Sequence, residues 1–173
     1  MKDFILAPLR RATIFAAALS LAILLSATPR PAFADGERVI AVPELHALTP
    51  DASEDAARIT VELRQRFQAL PSLRVVEGPP APTAVPGHPD ILLPPFEPWR
   101  DARVDILLVG NTAVLKDGRH KVSLFIWRVD KRTQLVGQQF VFGAHQGHEH
   151  EIADSVRDAL AAALLRDAAS AQP

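Results

Sequence analysis

The chain has 173 residues, with 19 lysines and arginines against 20 aspartates and glutamates and a formal net charge of −1. With acidic and basic residues in near balance, the chain has no excess of positive charge for binding nucleic acids or anionic lipids. The sequence contains no cysteine, which excludes thiolate chemistry, disulfide bonds and lipid attachment to a leader cysteine. The length suits a single domain of ordinary size.

Residues 1–34 have the order of a secretory signal peptide. Basic residues precede the apolar run ATIFAAALSLAILLSA, and Ala32-Phe33-Ala34 supplies the small-residue pattern of a cleavage site. The apolar run is shorter than the ~20 residues of a membrane-spanning helix, so a membrane anchor is the weaker alternative. We therefore predict general secretion, cleavage after Ala34, and a single domain over residues 35–173.

The first predicted elements are a strand, a helix and a second strand. Residues 38–45 form a short β-branched run typical of a buried strand. Residues 49–70 carry apolar side chains three and four positions apart, which predicts an amphipathic helix capped by Asp51 or Ser53. Its outward residues are expected to be Arg58, Glu62, Gln65 and Arg66. Residues 73–77 predict a second strand, and strands joined by such a helix are expected to be parallel.

A proline-rich segment follows. Residues 78–98 hold eight of the 15 prolines of the chain and show no regular period, which predicts a loop. A proline-rich recognition motif is the functional alternative, because PxxP-like segments bind aromatic grooves. The apolar ILL within the segment interrupts such a motif, so we favour a spacer loop.

The second half of the chain predicts three antiparallel strands. The segment EPWRDAR predicts a helical turn, and residues 104–110 predict a strand that is buried on both faces. Asp117-Gly118 between apolar segments indicates a hairpin, because a primed turn needs positive φ at its centre. The segments HKVSLFIWRVD and LVGQQFVFG then complete a meander.

A closing helix is predicted over residues 148–168, where apolar side chains recur every four positions. Residues 167–173 are expected to be a disordered tail. The order of elements predicts an α+β (mixed α/β) fold, in which a small mixed β-sheet of about five strands packs against two main helices.

The histidine-rich run AHQGHEHE is the strongest candidate for metal chemistry. His145, His148 and His150 in an irregular segment could bind zinc or copper through imidazole and carboxylate ligands. Within a helix, however, His148 and His150 are two positions apart and point away from each other. The simpler interpretation makes Glu149 and Glu151 partners of the helix dipole and packs one histidine at the helix start. We predict no metal-binding and no cofactor-binding residues.

The sequence predicts no catalytic residues either. The serines lack the G-x-S-x-G setting, and no glycine-rich phosphate loop opens a helix. Asp154 and Asp158 lie four positions apart on a predicted exposed face, where they are expected to be solvated. Asp105 and Asp130 flank strands, where a carboxylate more often fixes a turn than moves a proton. The residues alone therefore predict an exported, non-enzymatic module.

The segment from Trp99 to Phe142, followed by HEIADSV, resembles the amino-terminal domain of the TolB family, a periplasmic component of the Tol-Pal envelope system. That family typically shows Trp-Arg before a strand ending in Val/Thr-Gly, a Gly-Arg hairpin, a GQQ aromatic strand and a His-x-Ile-Ala-Asp helix start. The matching positions are Trp99, Arg100, Gly110, Gly118, Arg119, Asp130, Leu135, Gly137, Gln138, Gln139, Phe140, His150, Ile152, Ala153 and Asp154.

The resemblance covers about residues 38–166 and implies an anticodon-binding-like architecture and a periplasmic location. TolB proteins continue into a β-propeller that binds the lipoprotein Pal, and an amino-terminal extension engages TolA. We expect this chain to be a stand-alone domain without the propeller. Its expected partners are envelope or periplasmic proteins such as Tol-Pal components, with no nucleic acid and no membrane insertion after cleavage.

Two functions stay open at this point. The first is a protein-interaction module linked to envelope integrity. The second is a small periplasmic metal-binding protein that uses His145, His148 and His150.

Overall fold

The computed structural model describes residues 37–78, 93–143 and 147–170, all within one unit of the chain, Ala34–Pro173. The predicted signal peptide and cleavage point, most of the proline-rich loop, and His145 lie outside the described residues. The strands are β1 (Arg38–Ala41), β2 (His46–Ala47), β3 (Leu73–Val76), β4 (Ile106–Val114), β5 (His120–Arg128) and β6 (Thr133–Phe142). The helices are α1 (Ser53–Gln68), α2 (Phe96–Asp101) and α3 (His148–Ser170).

The strands form one mixed sheet in the order β3-β1-β4-β5-β6, and β2 pairs with β4 beside this path. β1 is parallel to β3 and to β4, whereas β4, β5 and β6 form an antiparallel meander. This confirms the predicted α+β class, the parallel strand–helix–strand unit and the meander. The two-residue strand β2 was not predicted, because the segment after β1 has no strand period.

The β4–β5 hairpin closes at the predicted position. Gly118 has φ +79°, and its N–H donates to the carbonyl of Leu115 at 2.9 Å. The Asp117 carboxylate accepts the Arg119 backbone N–H at 3.1 Å and the Arg119 Nε–H at 2.8 Å. The backbone hydrogen bond, followed by the side-chain hydrogen bond, lowers the pKa of the Asp117 carboxyl because both favour the charged form. The turn is therefore fixed by local hydrogen bonds.

Two apolar cores lie on opposite faces of the sheet, because neighbouring strand residues point to opposite sides. The larger core contains the apolar faces of α1 and α3, with Phe67, Leu63 and Leu160 among its fully buried side chains. The smaller core lies around Trp99 of α2, with Leu107 and other strand residues. β4 contributes to both cores, which confirms that it is buried on both faces. Among the described residues, no helix combines the length and the apolar character needed to cross a bilayer.

The start of α1 differs from the prediction. Neither Asp51 nor Ser53 caps the helix with its side chain, and Ala52 occupies the N-cap position. A 3₁₀ turn, Pro50–Ala52, precedes the helix. The Ser53 N–H donates to the Pro50 carbonyl, so this turn provides a hydrogen-bond partner for a backbone N–H at the helix start, where a capping side chain was predicted.

Two predicted irregular segments are partly helical. α2 begins at Phe96, inside the predicted 78–98 loop, and accommodates Pro98 because the first helical N–H groups have no partner within the helix. α3 ends at Ser170, so residues 167–170 are helical rather than a disordered tail. The reason lies in Asp167, whose carboxylate contacts Arg128 of β5 and lies 3.9 Å from Arg38 of β1. This contact attaches the last turns of α3 to the sheet.

Candidate functional site

The histidines of the predicted cluster are divided among different contacts. His148 opens α3, and its ring centroid lies 5.0 Å from that of Phe142. Its Nδ1 is 3.4 Å from Glu151 Oε2. One histidine therefore packs at the start of the helix, as the simpler interpretation of the run predicted.

His150 faces α1 instead. Its Nδ1 lies 2.8 Å from Glu62 Oε1, and Arg66 Nη2 lies 3.1 Å from the same oxygen. Glu62 is buried rather than outward as predicted, because α3 packs over this side of α1. A buried carboxylate needs polar partners, and both the histidine and the arginine lie within ion-pair distance of it.

The contact between the two helices continues along α3. Arg66 Nε lies 3.0 Å from Asp154 Oδ1, and Arg157 lies 2.8 Å from the same oxygen. Asp154 is thus paired with two arginines, which was not predicted, although its side chain keeps 42% of its accessible surface. A hydrogen bond to the exposed Asp158 raises the pKa of the Arg157 guanidinium, and Asp154 adds to the effect. The α1–α3 polar cluster (Glu62, Arg66, His150, Asp154, Arg157) is a structural contact between helices.

His120 was not assigned a role from the sequence. Its Nδ1 makes a close contact with Asp55 Oδ2, and its ring stacks on Phe142 with the centroids 5.7 Å apart. Asp55 also accepts a hydrogen bond from Arg58 at 2.7 Å. No local pattern indicates this pair, because the two residues are 65 positions apart and meet only when the β4–β5 hairpin lies beside the start of α1.

The described residues contain no group of three or more histidine, aspartate or glutamate side chains placed to hold a metal ion. His120, His148 and His150 each contact a different carboxylate. The described part of the chain therefore gives the metal-binding function no supporting geometry.

The carboxylates of Asp105 and Asp130 accept hydrogen bonds from backbone N–H groups at strand ends, in line with the prediction that they fix turns. Asp105 Oδ2 accepts the Val39 N–H at 2.8 Å, and the Asp105 N–H donates to the Val39 carbonyl at 2.9 Å. Asp130 Oδ1 accepts the Lys131 N–H at 2.8 Å. Both carboxylates thus fix the ends of strands.

An open crevice of about 610 Å³ lies beyond the carboxyl ends of β1 and β3. Open sheets bind ligands at this position, where neighbouring strands connect in opposite directions. Here β1 leads through α1 to β3 on one side, while β4 lies on the other side. The crevice is lined by Pro43, Glu44, Leu45, His46, Ala47, Ser53, Ala56, Arg64, Glu77 and Gly78. We call it the strand-end crevice.

The charged side chains that line the strand-end crevice are Glu44, Glu77 and Arg64. Arg64 is held inward, since its Nε–H donates to the Val42 carbonyl at 2.9 Å and its Nη1 lies 3.0 Å from Glu77 Oε1. The side chain of Glu44 is exposed. Sequence reasoning missed the crevice because its residues come from three separate segments, and the interruption at Pro43 was the one local signal.

The fold and these surfaces define a class of protein: an α+β domain whose mixed sheet presents an open crevice. Its residues His120, His148, His150, Asp105 and Asp154 make contacts within the fold. No family model matches the chain. The "Tol-Pal system protein TolB" of Anaplasma marginale (strain St. Maries) is 35% identical over 66 residues, which are 37% of this chain and 15% of that protein.

The comparison of folds also points to TolB. The crystal structure of TolB from Acinetobacter baumannii matches with a TM-score of 0.54 at 15% sequence identity, over 75% of this chain and 29% of that chain. The chain thus spans less than a third of the length of the TolB proteins that it matches. Together, the sequence similarity and the shared fold support a domain similar to the amino-terminal domain of TolB, and not to the full-length protein.

Proposed function

We propose that the chain is an exported, periplasmic, non-enzymatic protein-interaction module that acts with the Tol-Pal system or a related periplasmic assembly. The observation that carries this proposal is the similarity to TolB in both sequence and fold. The signal-peptide pattern of residues 1–34 supports export. The contacts of His120, His148, His150 and Asp105 within the fold support a binding role for the domain.

The strand-end crevice is the surface that best suits a protein partner. It is open rather than enclosed, so it fits an extended segment of polypeptide better than a small molecule, which needs a cavity that covers most of its surface. Pro43, Leu45 and Ala47 supply apolar atoms to the lining, and the exposed Glu44 offers a carboxylate at the rim. We therefore expect the bound segment to carry basic side chains between apolar ones.

A cysteine cross-linking experiment tests this function. Because the chain has no cysteine, Glu44→Cys introduces a single thiol at the crevice. The full chain carrying this change is exported in cells, treated with a thiol-specific cross-linker, and probed with antibodies against Tol-Pal components. We expect a cross-linked product that contains a Tol-Pal component, because the rim residue lies against the bound segment.

The matched control is Asp158→Cys, which places a thiol on the exposed side of α3. This variant is expected to give no such product. Equal cross-linking from both positions, or none from either position in correctly exported protein, would contradict the proposed binding surface.

A zinc and copper titration tests the alternative function. We expect the purified, exported protein to show no stoichiometric binding tighter than about 1 µM, because His120, His148 and His150 each contact a different carboxylate and the described residues hold no group of three possible ligands. The control is the variant in which His145, His148 and His150 are all changed to Ala. Tight one-to-one binding that disappears in this variant would replace the interaction module with a metal-binding protein.

A further inference from the structure

The strand-end crevice lies where the sheet leaves a strand position open. β1 and β2 follow one another along the same edge of β4, since Ala41 lies opposite Leu107 and His46 lies further along, opposite Asn111. The chain takes five steps here where β4 takes four, so one residue bulges out between β1 and β2. β3 accompanies β1 only as far as Val76. Among the described residues, the strand that pairs with β2 is β4, and no strand lies on its outer side, away from β4.

The end of β3 is defined by its contacts. Gly78 has φ +76°, a conformation that does not continue an extended strand. A Cβ atom at this position would lie 2.3 Å from the Trp99 ring, so a larger residue would collide with the smaller core. The carboxylate of Glu77 lies 3.0 Å from Arg64 of α1. β3 therefore stops short of β2 in a fixed way.

Helix α1 satisfies part of the backbone that a neighbouring strand would otherwise pair with. The Val42 carbonyl accepts the Arg64 Nε–H at 2.9 Å. The Leu45 N–H donates to Thr60 Oγ1 at 3.1 Å. These two contacts hold the segment between β1 and β2 against α1, so this side of the crevice is formed before a ligand binds.

Ala47 is the residue of β2 whose backbone faces the open position. The Leu48 N–H donates to the Thr112 carbonyl of β4 at 2.8 Å. Backbone groups of successive residues point to alternate sides of a strand, so the N–H and C=O of Ala47 point away from β4. Ala47 also lines the crevice. Its N–H and C=O are therefore the groups that an added strand would reach.

The side chains beside the open position alternate between apolar and exposed. Leu45 belongs to the larger core, and Ala47 packs against that core. Glu44 and His46 are exposed. An added strand has the same alternation, since successive side chains point to opposite faces of the sheet. Its side chains towards α1 meet apolar atoms, while those on the other face lie beside the Glu44 carboxylate, which favours basic residues.

We propose that a partner protein adds one strand to the outer side of β2, in line with β3, and that this strand alternates apolar with basic residues. The inference rests on the proposed function, because it specifies how the partner segment is held at the crevice. The added backbone exchanges hydrogen bonds with Ala47, as free strand edges do when they template a further strand.

Fluorescence anisotropy with protein exported and purified from the full chain tests this inference. The probe is a short labelled peptide in which lysine alternates with valine, and we expect it to bind saturably. A peptide in which glutamate alternates with valine is expected to bind about tenfold more weakly, because its charges oppose Glu44. Methylation of alternate backbone nitrogens in the lysine–valine peptide is expected to weaken binding by about fivefold or more, because it removes the donors along one edge.

The variant Ala47→Pro removes the outward N–H from β2, and proline is tolerated where an edge N–H has no partner in the sheet. Its dissociation constant for the lysine–valine peptide is expected to rise about fivefold or more. The matched control, Ala47→Ser, keeps the N–H and is expected to stay within about twofold of the wild-type value. Circular dichroism confirms that each variant is folded.

No binding of the lysine–valine peptide to the folded protein, or equal dissociation constants for Ala47→Pro and Ala47→Ser, overturns the strand addition. If Glu44→Cys still cross-links to a Tol-Pal component in that case, the proposed function stands without it. Peptide binding as expected, together with no cross-linking, overturns the proposed function alone. Self-association of the protein that Ala47→Pro abolishes would make a second copy the occupant and would also overturn the proposal.

Discussion

Replacing Trp99 with alanine is expected to lower the free energy of unfolding by about 3–5 kcal/mol, as for other buried tryptophans truncated to alanine. Trp99 is 1% exposed and lies in the smaller core, together with Ala41, Leu107 and Val109. Phe96 of α2 packs edge-on against Trp127 of β5, with the ring centroids 5.6 Å apart. This contact holds α2 in place, so the site cannot fully collapse into the cavity that the indole ring would leave. Urea unfolding followed by circular dichroism measures the change.

This loss is large for a domain of ordinary stability, since small proteins unfold at a cost of about 5–15 kcal/mol. The control is Val61→Ala, because the Val61 side chain is half exposed on α1 and its truncation is expected to change stability by no more than about 0.5 kcal/mol. A loss below about 1 kcal/mol for Trp99→Ala would show that the second face of the sheet is not packed as described.

The substitution Gly110→Ala is expected to destabilise the protein by about 1–3 kcal/mol through overpacking. A Cβ atom at this position would lie 2.6 Å from the Ser123 carbonyl oxygen and 2.6 Å from Leu124 Cδ2. Leu124 can change its rotamer, but the Ser123 carbonyl belongs to the neighbouring strand β5 and can move only with the sheet. Chemical denaturation with the same optical probe measures the loss.

The direction of the stability change for Gly110→Ala distinguishes overpacking from the usual effect of replacing a glycine. Glycine inside a strand is normally less favourable than alanine by about 0.5–1 kcal/mol, so an ordinary replacement would stabilise the protein. Gly143→Ala is the matched control, because a Cβ at Gly143 meets no atom within 4 Å. We expect Gly143→Ala to be neutral or slightly stabilising. Equal effects at the two glycines would contradict the close approach of β4 and β5 at Gly110.

The regular elements were predictable because each has its own local signal. Apolar spacing indicated α1 and α3, β-branched runs indicated the strands, and Asp117-Gly118 indicated the hairpin. The resemblance to TolB was carried partly by positions whose physical role is now visible. Trp99 fills the smaller core, and Gly110 allows two strands to approach each other closely.

The errors share a different cause, which is long-range packing. Glu62 has the spacing of an outward residue on α1, and only the position of α3 makes it buried. His120 and Asp55 meet across 65 positions of sequence. The strand-end crevice is likewise formed by segments that are far apart in the chain. Periodicity describes one element at a time, so it could not indicate contacts between elements.

The contact of Asp167 with Arg38 and Arg128 has a consequence for how the domain can be connected to other polypeptides. Arg38 is in the first strand and Asp167 is near the end of the last helix, so the two ends of the folded body emerge side by side. A domain whose ends lie side by side can be inserted into a loop of another protein without distortion of its fold. For the same reason, it should tolerate circular permutation, in which the two ends are joined and new ends are made elsewhere.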